Sequence, residues 1–284
     1  MKTVLDVITA TTAYFQNSGV ESPRLNIEHL LAHVMGKRRM DLYLEFDRPL
    51  DEKELGPLRD LVRRRAQREP LQHLLGTVEF LGLTLKSDAR ALIPRPETEQ
   101  LCEMVVAQAV AADCVWKSGR IMDVGTGSGC IALALAAKLP DAQVTGLDAS
   151  DDALALAREN AALTGLASRV TFTKSNLLAA VEGPLDLVIA NLPYIPTAEL
   201  AALQAEVQRD PAAALDGGAD GLAIIRRLLP EAAAKLRTGG VLAMELGLEQ
   251  AAILAAELPA LGFADTKIMK DHQGRDRFLF TTHG

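Results

Sequence analysis

The sequence predicts an α/β protein in which a small helical bundle precedes a domain built on a largely parallel sheet. Three observations support this fold class. Short apolar runs typical of strands alternate with alanine-rich helical stretches from Arg120 onward. Apolar residues recur at helical spacing earlier in the chain, and a hairpin pattern follows them. A chain of 284 residues, 49% of them hydrophobic, can bury one full core and a second, smaller one.

The first region is predicted to be a bundle of helices. Its apolar side chains follow the helical repeat in three stretches, Val4 to Phe15, Ile27 to Val34 and Leu55 to Ala66. Gly36 is a stop signal for the second helix. Pro57 leaves the start of the third helix undetermined, because proline disrupts helix interiors.

The stretches that follow divide the chain. In TVEFLGLTLK, Thr77 to Lys86, strand-forming runs lie on both sides of Leu81-Gly82, which is the pattern of a β-hairpin. Two prolines in IPRPETE then precede a new amphipathic helix. We therefore divide the chain into a helical bundle (1–75), a hairpin linker (76–95) and a second domain (96–284).

The second domain contains a series of predicted strands. RIMDV, AQVTGLD, RVTFTK, LDLVIA and GGVLAMELG are separated by helical stretches, which predicts parallel pairing with helices on both faces. The last two strands, FADTKIMK and RFLFTT, are joined by DHQGRD. That connection is too short for a helical crossover, so these two strands should form an antiparallel hairpin at the edge of the sheet.

The charge of the chain disfavours a long polyanion as partner. The net charge is −7, and residues 91–284 hold 16 Lys and Arg against 24 Asp and Glu, a net charge of −8. Nucleic-acid binding requires a basic groove, so sequence-specific contact with nucleic acid is not expected. A protein or small-molecule substrate fits this composition better.

Cysteine usage and hydropathy indicate a cytoplasmic, soluble chain, and we expect a monomer. Cys102, Cys114 and Cys130 are odd in number and lack CxxC spacing, as is typical of reduced thiols. Asp6 interrupts what would have to be the apolar core of a signal peptide. No later run approaches the ~18 apolar residues of a membrane span, so no membrane partner is expected.

Three stretches of the first region could have either a structural or a functional role. The basic clusters Lys37 to Arg39 and Arg63 to Arg68 are either the solvated faces of helices, the reading we favour, or a docking patch for an acidic partner. His29 and His33 have the spacing of metal ligands on a helix, but no third ligand is evident. No metal site is therefore expected.

A glycine-rich loop follows the first strand of the second domain and is the predicted cofactor site. In open α/β sheets ligands bind at the carboxyl ends of the strands, where glycines allow close approach of the backbone. The loop departs from the dinucleotide pattern G-x-G-x-x-G, because its third glycine comes one residue early. It resembles instead the loop of S-adenosylmethionine-dependent methyltransferases, which assigns cofactor binding to Asp123, Gly125, Thr126, Gly127, Ser128 and Gly129.

Two further positions complete the predicted cofactor site. Asp148 ends the second strand, where a carboxylate can accept hydrogen bonds from both ribose hydroxyls of an adenosyl group. Asn176 and Leu177 follow the third strand and are placed to contact the adenine, with the Asn176 amide at its ring edge.

The fourth strand ends in ANLPYIP, a rigid polar segment that we call the hook, Asn191 to Tyr194. If the methyl acceptor is an amide nitrogen, it is a poor nucleophile, because its lone pair is delocalised into the carbonyl. An enzyme must then accelerate its methylation by positioning that nitrogen. Asn191 Oδ1 and the Leu192 carbonyl can each accept one N–H of a carboxamide and place its nitrogen in line with a methyl donor. Pro193 stiffens this catalytic segment, and Tyr194 can pack against the substrate side chain.

Over nearly its whole length the chain resembles the HemK/PrmC family of protein-(glutamine-N5) methyltransferases, which modify peptide chain release factors. The resemblance implies a seven-stranded, Rossmann-like class I methyltransferase sheet, with S-adenosylmethionine as methyl donor and S-adenosylhomocysteine as product. It also implies that the hook binds the glutamine of a Gly-Gly-Gln motif, that Asn191 contacts the cofactor, and that the bundle (1–75) helps to dock the release factor. The matching stretches are LIPRPETE (92–99), DVGTGSGCIALALA (123–136), LDLVIANLPYIP (185–196), ALDGGADGL (214–222) and GRDRF (274–278).

The chain departs from the family pattern at two places. The family hook is usually Asn-Pro-Pro-Tyr, and here Leu192 stands at its second position. The proposed role needs only the backbone carbonyl there, and Pro193 still favours an extended Leu192. The adenine segment lacks its usual aromatic residue, because Asn176 is followed by Leu177. We expect activity to be retained, with a looser hook and a weaker adenine site.

Other functions remain open at this point. Similar hooks serve methylation of the adenine N6 amine in nucleic acid, which the net charge of −8 in residues 91–284 disfavours. A ribosomal protein could replace the release factor as the glutamine substrate. A non-catalytic adaptor that senses a nucleotide is a third reading, against which a nearly intact hook beside an intact cofactor loop argues.

Overall fold

The computed structural model describes residues 2–111 and 114–284, and the chain divides into two structural units. The first unit comprises Met1–Thr77 together with Gln204–Arg209. The second comprises Val78–Leu203 and Asp210–Gly284. The segment Gln204–Arg209 therefore groups with the helices, although the sequence division assigns it to the second domain.

The helical unit begins its helices at recognisable capping residues. The Thr3 hydroxyl accepts a hydrogen bond from the Asp6 backbone N–H, and the Asp6 carboxylate accepts one from the Thr3 N–H. Asp51 and Glu54 make the same reciprocal pair, so the third helix begins at Glu52 although Pro57 lies inside it. The helices are α1 (Val4–Asn17), α2 (Pro23–Met35), α3 (Glu52–Ala66) and α4 (Leu71–Leu75).

The apolar positions of the first three helices meet in one core. Phe15, Ile27, Leu30 and Leu31 are fully buried, as their helical spacing predicts. Gly36 ends α2 in the left-handed conformation that the sequence assigns to a stop. The periodic pattern therefore predicted this part of the fold.

Arg65 contradicts the prediction that the basic cluster Arg63 to Arg68 is a solvated face. Its side chain is only 5% exposed, and its guanidinium donates to the Asn26 side chain at 2.7 Å and to the Glu69 carbonyl at 3.1 Å. It also donates to Glu206 at 2.7 Å. Helical spacing alone does not reveal this burial, because the acceptor on Glu206 is supplied by a distant segment.

The predicted hairpin is present. It consists of β1 (Thr77–Phe80) and β2 (Leu83–Lys86), joined by Leu81 and Gly82. Both turn residues have positive φ, at 48° and 83°. Positive φ at both central positions is the geometry of a type I′ turn, whose twist matches that of the flanking strands.

The second unit contains the seven-stranded sheet that the sequence predicts, within the residues described. Strand order is β5-β4-β3-β6-β7-β9-β8, and neighbours from β5 to β7 run parallel. The last two strands form the antiparallel edge hairpin. The strands are β3 (Arg120–Val124), β4 (Gln143–Asp148), β5 (Val170–Lys174), β6 (Leu185–Asn191), β7 (Leu236–Glu245), β8 (Phe263–Lys270) and β9 (Asp276–His283).

Helices cover both faces of this sheet, so its central strands are buried on both sides. Ile121 and Leu133 belong to the core on one face, and Val188 and Leu228 belong to the core on the other. The order of the strands reverses between β3 and β6, which is where open α/β sheets bind ligands. The helices are α5 (Pro96–Ala111), α6 (Cys130–Lys138), α7 (Asp151–Leu163), α8 (Ala223–Lys235) and α9 (Gln250–Glu257).

Among residues 2–111 and 114–284, none of the helices has the length and apolar character needed to cross a membrane.

Candidate active site

The glycine-rich loop connects β3 to α6 beside the point where the strand order reverses. Gly125, Gly127 and Gly129 all have positive φ, between 53° and 82°. The backbone N–H groups of Gly125 and Thr126 donate to the Leu147 carbonyl at 2.8 and 2.9 Å, which fixes the loop against β4. A Cβ placed on Gly127 would meet no protein heavy atom closer than 3.8 Å. The space beside this backbone is therefore open to a ligand, and a side chain would fill it.

Asp123 lies behind this loop and is completely buried. Its Oδ2 accepts hydrogen bonds from the Thr126 hydroxyl at 2.6 Å and the Ala132 N–H at 3.1 Å. Its Oδ1 has no hydrogen-bond partner among the described residues. Burial raises the pKa of Asp123 to about 7, the two hydrogen bonds oppose this rise, and the Asp148 charge adds to it.

Asp148 lies at the end of β4, as the sequence predicts for the ribose-binding carboxylate. Its Oδ2 accepts from the Gly127 N–H at 2.9 Å, and its Oδ1 accepts from the Ser150 N–H at 2.9 Å. Each carboxylate oxygen can accept a further hydrogen bond. Asp148 therefore holds the glycine loop in place while it faces the cavity described below.

Asn176 and Leu177 follow β5 and lie, like Asp148, at the carboxyl ends of the parallel strands. Leu177 is buried and has a positive φ of 54°. Arg227 of α8 donates to Asn176 Oδ1 at 3.0 Å, which leaves the Asn176 Nδ2 group for other partners. Sequence reasoning missed Arg227, because its contact with Asn176 joins positions 51 residues apart.

These residues surround one cavity of about 290 Å³ in the second unit. The volume is close to the lower end of the ~300–1,000 Å³ usual for ligand pockets. Asp123, Gly129 and Tyr194 are not among the described residues that line it. The predicted residues that do line it are Gly125, Thr126, Gly127, Ser128, Asp148, Asn176, Leu177, Asn191, Leu192 and Pro193.

The lining fits S-adenosylmethionine. The backbone at Gly127 is open to a ligand, Asp148 supplies acceptors for hydroxyl groups, and Leu177 supplies an apolar wall. Asp123 lies behind the loop, outside the lining; when it is ionised, above its raised pKa of about 7, its unpartnered Oδ1 supplies negative charge that favours a cationic ligand.

The hook begins at Asn191, whose side chain is held from behind. Its Nδ2 donates to the Thr98 hydroxyl at 2.9 Å and to Glu245 Oε2 at 3.1 Å. Because both amide hydrogens face acceptors, the hydrogen-bond network assigns Oδ1 as the atom left to accept from a ligand. Asn191 ends β6 at the cavity wall, as predicted.

Tyr194 is fixed at three points. Its hydroxyl donates to Glu245 Oε1 at 3.3 Å, its carbonyl accepts from Gln250 Nε2 at 2.8 Å, and the Arg277 guanidinium lies 5.5 Å from its ring centre. Burial raises the pKa of Tyr194, and the Glu245 charge raises it further. Tyr194 is therefore a neutral hydrogen-bond donor at neutral pH.

Sequence reasoning did not identify Thr98 and Glu245 as site residues. Thr98 lies in the stretch LIPRPETE, and Glu245 ends β7 directly beside Asn191 in the parallel register. An acidic residue at the end of the strand next to the hook was the available signal. It could not be used without the strand order, which places β7 next to β6.

Comparisons with known proteins agree with this fold. Residues 6–76 match the family model described as PrmC N-terminal domain, and residues 103–218 match the one described as methyltransferase small domain. A ribosomal protein L11 methylase from Lactobacillus delbrueckii subsp. bulgaricus has a similar structure, with a TM-score of 0.50 and 26% identity over 67% of this chain and 80% of that one. A methyltransferase from Pyrococcus furiosus, 20% identical, shares the fold with a TM-score of 0.52 over 72% of this chain and 90% of that one.

Curated relatives match almost the whole chain. A release factor glutamine methyltransferase of Deinococcus radiodurans is 44% identical over 274 residues, which cover 96% of each protein. The protein of the same name from Geobacter sulfurreducens is 44% identical over 279 residues, which cover 98% of this chain and 95% of that one. At this identity and coverage, the chain belongs to the release factor glutamine methyltransferase family.

Proposed function

We propose that this chain is an enzyme that transfers a methyl group from S-adenosylmethionine to the side-chain amide nitrogen of a glutamine in a peptide chain release factor. The target glutamine is that of the Gly-Gly-Gln motif. The observation that carries the proposal is the hook: Asn191 ends β6, and Asn191 and Leu192 both line the wall of the cavity. The relatives that match the whole chain carry the name of this activity.

The cavity residues bind and orient the cofactor in this proposal. Asp148 accepts from the ribose hydroxyls, the loop Gly125 to Gly129 lies along the amino-acid end, and Asn176 and Leu177 contact the adenine. Asp123 braces the loop through Thr126 and carries a negative charge only above its raised pKa of about 7. When bound, the cofactor supplies an electrophilic methyl group on a sulfonium sulfur.

The hook acts by positioning. Asn191 Oδ1 and the Leu192 carbonyl accept the two N–H bonds of the substrate carboxamide, and this places its nitrogen lone pair towards the methyl donor. The two acceptors also favour loss of planarity at that nitrogen, which frees the lone pair. Alignment of this kind supplies up to ~7–11 kcal/mol of the barrier. The amide nitrogen gives up its extra proton to solvent after it has accepted the methyl group, so no side-chain base is required before methyl transfer.

Leu192 is compatible with this mechanism although the family pattern has proline there. Its role is carried by the backbone carbonyl, and its side chain is buried against the glycine loop. Burial of this side chain restrains the Leu192 backbone, as the ring of a proline would at this position. Pro193 further restricts Leu192 to extended conformations.

The release factor is the proposed partner, and the helical unit contributes to docking it. The family model for residues 6–76 is the one named for the N-terminal domain of these enzymes, which supports this assignment. The proposal places the chain in the cytoplasm, because translation takes place there. We propose that it acts as a monomer.

The experiment that tests the proposal is a methyl-transfer assay with labelled S-adenosylmethionine and a purified release factor. A second reaction uses the factor with the glutamine of Gly-Gly-Gln replaced by alanine, and a third uses duplex DNA or RNA. We expect label on the intact factor alone. Equal label on the substituted factor, or label on nucleic acid, would overturn the proposal.

A further inference from the structure

The side chains of Thr98, Glu245 and Asn191 form a closed ring of hydrogen bonds at the base of the hook. The Thr98 hydroxyl donates to Glu245 Oε2 at 2.7 Å, and Asn191 Nδ2 donates to both of these oxygens, at 2.9 and 3.1 Å. Thr98 is 2% exposed and Glu245 is 1% exposed. Both side chains are therefore almost completely shielded from bulk solvent. Asn191 and Thr98 also line the cavity, whereas Glu245 does not.

We propose that Thr98 and Glu245 are positioning residues for methyl transfer, acting through Asn191. They hold the Asn191 carboxamide so that its oxygen, not its nitrogen, meets the substrate N–H, and the Glu245 carboxylate polarises that oxygen. This inference rests on the proposed function and adds two residues to its machinery. In this proposal both residues act on the substrate through the Asn191 carboxamide.

The need for such a device follows from the symmetry of a carboxamide. The two ends of the Asn191 amide have nearly the same shape, so packing alone does not fix which end faces the cavity. A flipped amide would present N–H donors to the N–H donors of the substrate. It would also turn its oxygen towards the Glu245 carboxylate. The Thr98 and Glu245 acceptors therefore exclude the unproductive orientation.

The charge of Glu245 adds a second effect. Methyl transfer moves positive charge from sulfur to the substrate nitrogen, so a stronger acceptor at that nitrogen stabilises the transition state more than the ground state. A hydrogen bond from Asn191 Nδ2 to an ionised carboxylate increases the electron density on Oδ1 through cooperative polarisation. Glu245 also accepts from the Tyr194 hydroxyl, so one carboxylate organises both ends of the hook.

Three substitutions test this role. Thr98→Ser keeps the hydroxyl, Thr98→Val keeps the shape and removes the hydroxyl, and Glu245→Gln keeps the shape and removes the charge. We expect Thr98→Ser to retain kcat within about 3-fold. Thr98→Val and Glu245→Gln should lower kcat about 10-fold to 100-fold while affinity for S-adenosylmethionine stays within about 2-fold.

A double-mutant cycle separates positioning from a purely structural contribution. If Glu245 acts through Asn191, Glu245→Gln should cost little further turnover in an Asn191→Ala background. An equal loss of kcat in both backgrounds, or unchanged kcat in Thr98→Val and Glu245→Gln, would overturn the inference. Should Glu245→Gln fail to fold, the Thr98→Ser and Thr98→Val pair in the two backgrounds gives the same test.

The outcomes distinguish this inference from the function on which it rests. Wild-type protein that does not methylate the release factor contradicts the proposed function. Wild-type activity that is lost in Asn191→Ala but kept in Glu245→Gln contradicts only the role of the buried ring.

Discussion

Asn191 is the residue on which the chemistry depends, because it offers a side-chain acceptor where the cavity meets the end of β6. Its nitrogen is held by Thr98 and Glu245, so its oxygen remains for the substrate. Burial raises the pKa of Glu245, and the nearby Glu97 charge raises it while Arg277 and the hydrogen bonds lower it. The acceptor strength of the hook therefore depends on Glu245, which accepts hydrogen bonds from Thr98, Asn191 and Tyr194.

Replacing Asn191 with alanine should reduce turnover without removing the cofactor. We expect kcat to fall about 10²-fold to 10³-fold, as with the loss of one preorganised hydrogen-bond group. Calorimetry should show affinity for S-adenosylmethionine largely unchanged. Turnover near that of the wild type would show that Asn191 does not position the substrate.

The raised pKa of Asp123 predicts that discrimination between cofactor and product depends on pH. Burial raises the pKa of Asp123 to about 7, and a carboxyl with this pKa is mostly protonated at pH 6 and mostly ionised at pH 8. Its anion favours the sulfonium of S-adenosylmethionine, which S-adenosylhomocysteine lacks. If the sulfonium lowers this pKa by about one unit, the affinity ratio of cofactor to product rises about fivefold from pH 6 to pH 8.

Calorimetric titrations of both ligands across this pH range provide the measurement. The α-amino group titrates in both ligands, so its effect largely cancels in the ratio. Asp123→Asn, which cannot ionise, should flatten the dependence. A flat ratio in the wild-type protein would show that the Asp123 charge does not reach the sulfonium.

The sequence located several site residues, and the reason is that each lies at the end of a strand. Asp148 and Asn191 could be placed because parallel strands carry their ligand-binding residues at the carboxyl end. Thr98, Arg227 and Glu245 were missed because their partners lie 51 to 147 residues away in sequence. Contacts over such separations depend on strand order and helix packing, which periodicity does not contain.

At the scale of elements, the hook is fixed by residues 215–221, which pack behind it. The Ile195 N–H donates to the Leu215 carbonyl at 3.1 Å, and the Gly217 N–H donates to the Ile195 carbonyl at 2.8 Å. Gly221 lies so close that a Cβ there would be 2.2 Å from the Tyr194 carbonyl oxygen. This segment therefore determines where the backbone of the hook runs.

Gly221→Ala should disturb the hook, and Gly165→Ala is its matched control. Both glycines have positive φ, 75° and 72°, but a Cβ at Gly165 meets nothing within 4 Å. Both substitutions should therefore carry a backbone cost of about 1 kcal/mol, and only Gly221→Ala should also lower kcat, by about 10-fold or more. Equal activity of the two variants would show that the Tyr194 backbone does not need this close contact.

The strands were the most predictable elements. Apolar runs and the short DHQGRD connection predicted the seven strands and the antiparallel edge hairpin, which the structure confirms. Pro57 left the start of α3 undetermined, because proline disrupts helix interiors, and the structure shows a reciprocal cap between Asp51 and Glu54. The capping interaction prevails in the structure.

At the scale of the whole molecule, the chain passes between its two units at residues 77–78, 203–204 and 209–210. The short segment Gln204–Arg209 is held in the helical unit by Glu206, which accepts hydrogen bonds from Arg65 and Arg68 at 2.6 to 2.7 Å. This segment follows the hook by about ten residues. The sequence did not predict its place, because the contacts with Arg65 and Arg68 span 138 to 141 residues.

Glu206→Gln should destabilise the helical unit. Burial acts to raise the pKa of Glu206, but hydrogen bonds from Arg68 and Arg65 lower it from 4.5 to about 2. Because the folded pKa lies below the unfolded one, this stabilisation is present above pH 4.5 and is lost as pH falls towards 2. The substitution leaves Arg65 buried beside a neutral partner, which should cost about 1–3 kcal/mol at pH 7.

Chemical denaturation, followed by hydrogen exchange of the amides in α3, measures this effect. Glu199→Gln is the control, since Glu199 is exposed and lies shortly before the anchored segment. It should change the free energy of unfolding by less than about 0.5 kcal/mol. Identical stability of the two variants would show that Glu206 does not anchor the segment.

The central claim is that two oxygens at the end of β6 hold the substrate carboxamide. A crystal structure of the protein with S-adenosylhomocysteine and a peptide containing Gly-Gly-Gln tests it most directly. We predict that the glutamine nitrogen lies within about 3.2 Å of both Asn191 Oδ1 and the Leu192 carbonyl oxygen, and faces the sulfur. A glutamine bound elsewhere, or a hook turned away from the sulfur, would contradict the account.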